Sequence, residues 1–156
     1  DDHLLCHHKN WQSDHYEQQT GAVAEFLGDT IYTLSSEPNK LIAIDTEEGI
    51  DRIIDILTPL VGNQVTLVRS QRDFLEITAP NVSKGRALAQ LALDNNLSLE
   101  NIVSFGNAEN DISMLSETGY SVAVSNATEH VKSVANEVCG HHNEDGVAHW
   151  IEKNLL

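Results

Sequence analysis

The sequence predicts an α/β protein: a parallel sheet covered by helices over residues 80–156, preceded by a smaller α+β lobe over residues 1–79. Three observations predict it. After Pro80-Asn81, short apolar runs alternate with amphipathic stretches, the rhythm of parallel strands joined by helical crossovers. Before that break, two alternating stretches flank Gln71-Arg72-Asp73 and read as an antiparallel hairpin. The chain has 156 residues, 40% of them hydrophobic, enough for one ordinary domain or two small lobes with an apolar core.

The elements follow in chain order. Asp1 to Asn10 holds one apolar pair, Leu4-Leu5, and Trp11 to Thr20 is almost wholly polar, so this part reads as irregular. Ala22 to Leu27 and Thr30 to Leu34 each fit a short strand or a short helix. Glu37-Pro38-Asn39 is a loop signal. Lys40 to Ile44 reads as a strand. Thr46 then caps an amphipathic helix with Ile50, Ile53, Ile54 and Leu57 at helical spacing. The hairpin pairs Gln64 to Ser70 with Phe74 to Thr78. Ser83 caps a helix from Lys84 to Asn95. Asn101 to Phe105 is a strand, Asp111 to Glu117 a helix closed by Gly119, and Ser121 to Val124 the next strand. Thr128 to Ala135 is helical, Glu137 to Cys139 is a minimal strand, and Val147, Trp150, Ile151 and Leu155 stripe the last helix.

Charge and composition exclude several classes. The formal net charge of -15 repels phosphate backbones and anionic membranes, so no nucleic-acid partner is expected. No apolar run approaches the roughly 18 residues that span a bilayer, and no membrane partner is expected. The acidic start lacks the apolar core of a signal peptide, and the two cysteines, Cys6 and Cys139, form no CxxC pair. A reduced cytoplasmic protein is the expectation. Eight histidines include the adjacent pairs His7-His8 and His141-His142, whose rings are expected to point to different sides and not to converge on zinc. Trp11 and Trp150 read as packing residues.

In an open parallel sheet, ligands collect at the carboxyl ends of the strands. Gly106-Asn107-Ala108-Glu109-Asn110-Asp111 follows one strand and offers amide and carboxylate oxygens suited to a hard cation such as magnesium. Read alone, it is more simply an ordinary helix start, where Asn and Asp cap orphan amides. Ser125-Asn126-Ala127-Thr128 follows the next strand and presents groups that bind phosphate or cap a helix. Lys84 sits in the first helical turn, where the dipole disfavours a cation. It either balances a phosphate or is a solvated surface lysine.

Taken together, Leu75-Glu76-Ile77, Val82-Ser83-Lys84-Gly85, the run Phe105 to Leu115, Val122-Ala123-Val124-Ser125-Asn126-Ala127 and Asn143-Glu144-Asp145-Gly146-Val147-Ala148 resemble the C-terminal half of the Cof-type phosphatases of the haloacid dehalogenase superfamily. The ordered match covers roughly residues 74 to 151. The resemblance implies a Rossmann-like core with a partial mobile cap before Pro80, and a magnesium-assisted, two-step phosphoryl transfer through an aspartyl-phosphate. It implies that Lys84 steadies the nucleophile and the phosphoryl group, that Asn107 and Asp111 stand at the metal, and that Asn110 and Asn126 reach the phosphate. The implied substrates are small phosphorylated metabolites such as sugar phosphates.

Two departures bear on activity. The family has Gly-Asp where this chain has Gly106-Asn107, and an amide ligates without contributing charge. The family's nucleophile belongs to an Asp-x-Asp motif, and no Asp-x-Asp occurs in this chain. Asp45 follows a strand, but Thr46-Glu47 does not complete the pattern. Three readings stay open: part of a Cof-type hydrolase, a non-catalytic descendant that binds a phosphorylated ligand or a protein, and part of a P-type ATPase. The last is opposed by the lack of a membrane segment and by the short spacing from Lys84 to the loop. The resemblance also implies that the strand Ile102 to Phe105 has a bare edge, open to self-association.

Overall fold

The computed structural model describes residues 3–156. Three sheets follow in sequence. The first pairs β1 (Leu4–Cys6) and β2 (Ala24–Phe26) in parallel, joined by helix α1 (Trp11–Thr20). The polar stretch that reads as irregular is therefore helical. It has almost no apolar stripe, so periodicity gives no signal. Its start is fixed by a capping box, in which Asn10 Oδ1 accepts the Ser13 N–H and Ser13 Oγ accepts the Asn10 N–H. The histidine of its second turn, His15, reaches Asp73 Oδ2 at 2.7 Å.

The second sheet has the order β3 (Lys40–Ile44), β5 (Phe74–Thr78), β4 (Thr66–Gln71), all antiparallel. The hairpin of β4 and β5 forms as expected, with a bulge between Arg69 and Gln71. Helix α2 (Glu47–Val61) begins at Thr46, whose hydroxyl accepts the Gly49 N–H. Its buried anchor is Ile50, and Phe74 and Leu75 are buried on β5. Arg69 of β4 pairs with Asp51 and Glu47 of α2.

The third sheet is parallel, with the order β6 (Val103–Gly106), β7 (Tyr120–Val124), β8 (Glu137–Cys139). Helices α3 (Lys84–Asp94), α4 (Ile112–Glu117), α5 (Glu129–Val134) and α6 (Gly146–Asn154) complete it. Parallel strands buried on both faces carry continuous apolar runs, and in β7 Ser121 to Val124 are all buried. On one face Ala123 packs with Leu115 of α4 and Val131 of α5. On the other, Phe105 meets Trp150 of α6 edge-on, and Tyr120 stacks on the same indole. Glu137 accepts from the Trp150 indole N–H at 2.9 Å. The expectation for Trp150 as a packing residue holds.

The structure corrects three expectations. Trp11 is 55% exposed, because it opens α1 and leaves the packing against Phe74 to His15 and Tyr16. The adjacent histidines do not diverge: His7 and His8 sit in a bend with ring centroids 5.2 Å apart, and those of His141 and His142 are 4.7 Å apart. The helix ends at Glu117 as expected, but the residue that follows it is an extended Thr118, and Gly119 does not close it. Gly119 is needed for a different reason: a Cβ there would lie 1.9 Å from the Glu100 carbonyl oxygen.

Candidate active site

The strand ends of β6 and β7 lie side by side, with Gly106 in register with Ala123. The turn after each strand therefore opens on the same edge of the sheet. After β6 the chain makes a 3-10 turn, Glu109–Asp111, before α4. Gly106 is required at the bend, because a Cβ there would lie 2.7 Å from the Asp111 Cβ. That space belongs to the Asp111 side chain, which is only 5% exposed.

Asp111 organises the loop. Its Oδ2 accepts the Asn107 N–H at 2.8 Å and the Ala108 N–H at 3.1 Å. Its Oδ1 accepts from Lys84 Nζ at 2.5 Å. Burial by itself pushes this carboxyl up. The Lys84 hydrogen bond, the two loop N–H groups and the lysine charge outweigh burial and hold it below the ordinary carboxylate range. Lys84, at the first residue of α3, stays half-exposed while its ammonium is held on a buried anion.

The two turns are tied together. Glu109 of the first accepts from Thr128 Oγ1 at 3.2 Å and meets His130 Nδ1 at 2.9 Å. Thr128 is also the cap of α5, so one hydroxyl both starts that helix and holds the neighbouring turn. Asn126 Oδ1 accepts the His142 N–H at 3.2 Å. His142 and Asn107 line the same open depression of about 250 Å³, with Phe105, Gly106, Val124 and Val147. Asn110 is half-buried, and its Oδ1 is enclosed without a hydrogen-bond partner. Strand β4 of the second sheet runs beside the Glu109–Asp111 turn, within 8 Å between Cα atoms.

Of the residues read from the sequence, Lys84 and Asp111 touch, Asn107 is bonded to Asp111 through its backbone, and Asn126 connects through His142 to the depression that Asn107 lines. Sequence reasoning missed Glu109, Thr128, His130 and His142 as the ties of this site. The only signal for Glu109 was its place inside the loop.

Magnesium takes about six oxygen ligands, usually with carboxylates among them. Asp111 already accepts three hydrogen bonds, and Asn107 offers one neutral amide. Among the described residues, no group of three or more His, Cys, Asp or Glu side chains is placed to hold a metal. The loop by itself does not fit the ion.

A parallel sheet with a lysine–carboxylate pair and amide-rich turns at its strand ends defines an α/β protein with a candidate ligand site at the carboxyl ends of its strands. The chain belongs to the haloacid dehalogenase-like hydrolases, whose family model matches residues 1–151. It is 35% identical over 117 residues to the putative phosphatase YxeH of Bacillus subtilis, a match covering 75% of this chain and 43% of that protein. It is 32% identical over 140 residues to the chloroplastic endoribonuclease YBEY of Arabidopsis thaliana, covering 78% of this chain and 24% of that protein. A solved structure from Thermotoga maritima superimposes with a TM-score of 0.81 at 32% identity, covering all of this chain and 59% of its own. The chain thus spans less than half the length of these two curated relatives.

Proposed function

We propose that this chain is the C-terminal portion of a magnesium-dependent, Cof-type phosphatase acting on small phosphorylated metabolites such as sugar phosphates in the cytoplasm. The observation that carries the reading is the Lys84–Asp111 pair set on the turn after β6. A cation held firmly at the rim of a strand-end turn neutralises charge on a transferring phosphoryl group, the main source of rate in this chemistry. Relatives support the substrate class: a phosphoglycolate phosphatase of Methanobrevibacter smithii is 39% identical over 82 residues, and a pyridoxal phosphate phosphatase of Escherichia coli 39% over 87.

In this reading residues 80–156 supply half of the catalytic core, and residues 1–79 are part of the cap that selects substrate. Lys84 faces the phosphoryl group, with Asn110 and Asn126 beside it. Asp111 positions Lys84 and the loop. Asn107 gives the metal a single neutral ligand, and the carboxylates that complete the site lie outside this loop. The nucleophile also lies outside residues 1–156, so the isolated chain does not turn over phosphate esters. The edge of β6 away from β7 is open to pairing with the strand that carries the nucleophile, or with a second copy of the chain.

The second reading, a non-catalytic phospho-ligand or protein-binding domain, draws on Asn107 and on the three hydrogen bonds that Asp111 already accepts. Turnover separates the two. A generic phosphate ester with magnesium is expected to be hydrolysed by a longer product that includes an Asp-x-Asp strand, and Lys84→Ala is expected to slow it by about 100-fold or more. A longer product that binds ligand without turnover would favour the second reading. Lys84-dependent turnover by residues 1–156 alone would contradict the placement of the nucleophile. For self-association, sedimentation is expected to show dimers at high concentration, and a strictly monomeric chain would count against it.

A further inference from the structure

The start of α3 is held to α4 at two successive points. Lys84 meets Asp111 through its side chain. The next residue, Gly85, donates its backbone N–H to Ser113 Oγ at 3.1 Å. That N–H is one of the donors a helix start leaves without an intrahelical partner. Ser83, the cap, takes the Arg86 N–H instead. The Gly85 donor is therefore satisfied across the helix interface, by a half-buried hydroxyl two residues beyond Asp111.

The backbones are in direct contact at this point. A Cβ on Gly85 would lie 2.5 Å from the Ser113 carbonyl oxygen and 2.9 Å from Glu117 Oε1. Only glycine lets α3 approach closely enough for its N–H to reach the serine hydroxyl. The same short segment of chain, Asp111 to Ser113, thus grips both the side chain of Lys84 and the backbone of the residue after it.

We propose that Ser113 is a positioning residue: its hydroxyl clamps the first turn of α3 onto α4 and sets where the Lys84 ammonium stands. The catalytic meaning of that position rests on the phosphatase reading; the clamp itself does not. Lysine side chains carry large rotamer freedom, so a fixed stem is needed to hold the ammonium in one place. Ser113 supplies the fixed stem, and Asp111 fixes the tip.

Residues 1–156 with uniform nitrogen and carbon isotope labelling, which reads both the Gly85 amide and the Lys84 side chain, test this by NMR. In Ser113→Ala, the Gly85 amide is expected to exchange about 3- to 10-fold faster, the loss of one neutral hydrogen bond. The Lys84 ammonium is expected to lose order toward that of solvent-exposed lysines. Ser113→Thr retains the hydroxyl and is expected to restore both signals. Gly85→Ala, whose methyl wedges the helices apart, is expected to disorder Lys84 further; should it fail to fold, the two serine variants still decide. Faster Gly85 exchange with an equally ordered Lys84 would overturn the proposal, leaving Ser113 a simple helix tether. So would a Thr variant that fails to rescue. None of these readouts involves turnover, so a longer product without phosphatase activity would remove the catalytic reading while leaving the clamp in place.

Discussion

The parallel sheet after Pro80 and the two sheets before it are held together differently. In the third sheet, β7 is buried along four successive residues, and Leu115, Ala127, Val131 and Trp150 close over its two faces. Up to residue 79, the buried apolar side chains are Ile50, Phe74 and Leu75, and polar ties do much of the rest. The Asn10–Ser13 capping box, the His15–Asp73 contact and the Arg69 pairs to α2 are examples. The difference teaches that an apolar-walled platform carries the candidate site, while the region beside it buries fewer apolar side chains and adds partly exposed polar contacts.

The largest expected effect lies in the platform. Leu115→Ala removes a 2%-exposed side chain from the Ala123–Val131 cluster and is expected to lower stability by about 2–5 kcal/mol in denaturant titration. Trp11→Ala, in the first region, is expected to change it by less than about 1 kcal/mol, since the indole is largely exposed. Equal costs would break the comparison.

Next comes the site itself. Asp111→Asn leaves Lys84 without its anion and is expected to cost about 1–2 kcal/mol at neutral pH, limited by the exposure of the lysine. The sign with pH follows from the depressed carboxyl. Its contribution is complete above the unfolded value near pH 4 and is lost as pH falls through the lower folded value. Thermal melts across that range are expected to show an acid-dependent loss in the native chain that the variant lacks. A variant with the same acid profile would show that the pair does not stabilise the loop.

The smallest effect is expected for His15→Gln, which breaks a partly exposed contact to Asp73. It should stay within about 1 kcal/mol. A larger loss would mean that the first region depends on this contact far more than its exposure implies.

The same contrast decides what was legible in the sequence. Lys40 to Ile44, the hairpin, and each strand and helix after Ser83 were readable because apolar spacing reports burial, and burial shapes those elements. Helix α1 was not, because it buries only Ser13 and takes its start from a polar capping box. The site was half legible. Asn107, Asp111 and Asn126 lie in turns that follow parallel strands, where ligands collect, whereas grouping Lys84 with them rested on the family resemblance of the ordered motifs. That Asp111 faces the lysine and the loop amides depends on a side-chain rotamer, which spacing does not encode. The ties from Glu109 to Thr128 and His130, and from Asn126 to His142, join residues 16 to 21 positions apart; the first two exist only once β6 and β7 are adjacent, and the last only once β7 and β8 are.

The central claim is that Lys84 and the two strand-end turns form one half-site for a phosphoryl group. Titrating residues 1–156 with inorganic phosphate, with and without magnesium, tests it most directly when followed by amide chemical shifts. Saturable shifts confined to Lys84, Gly106 to Asp111 and Ser125 to Asn126 are expected, and are lost in Lys84→Ala. Shifts scattered over the surface, or none at these turns, would contradict it.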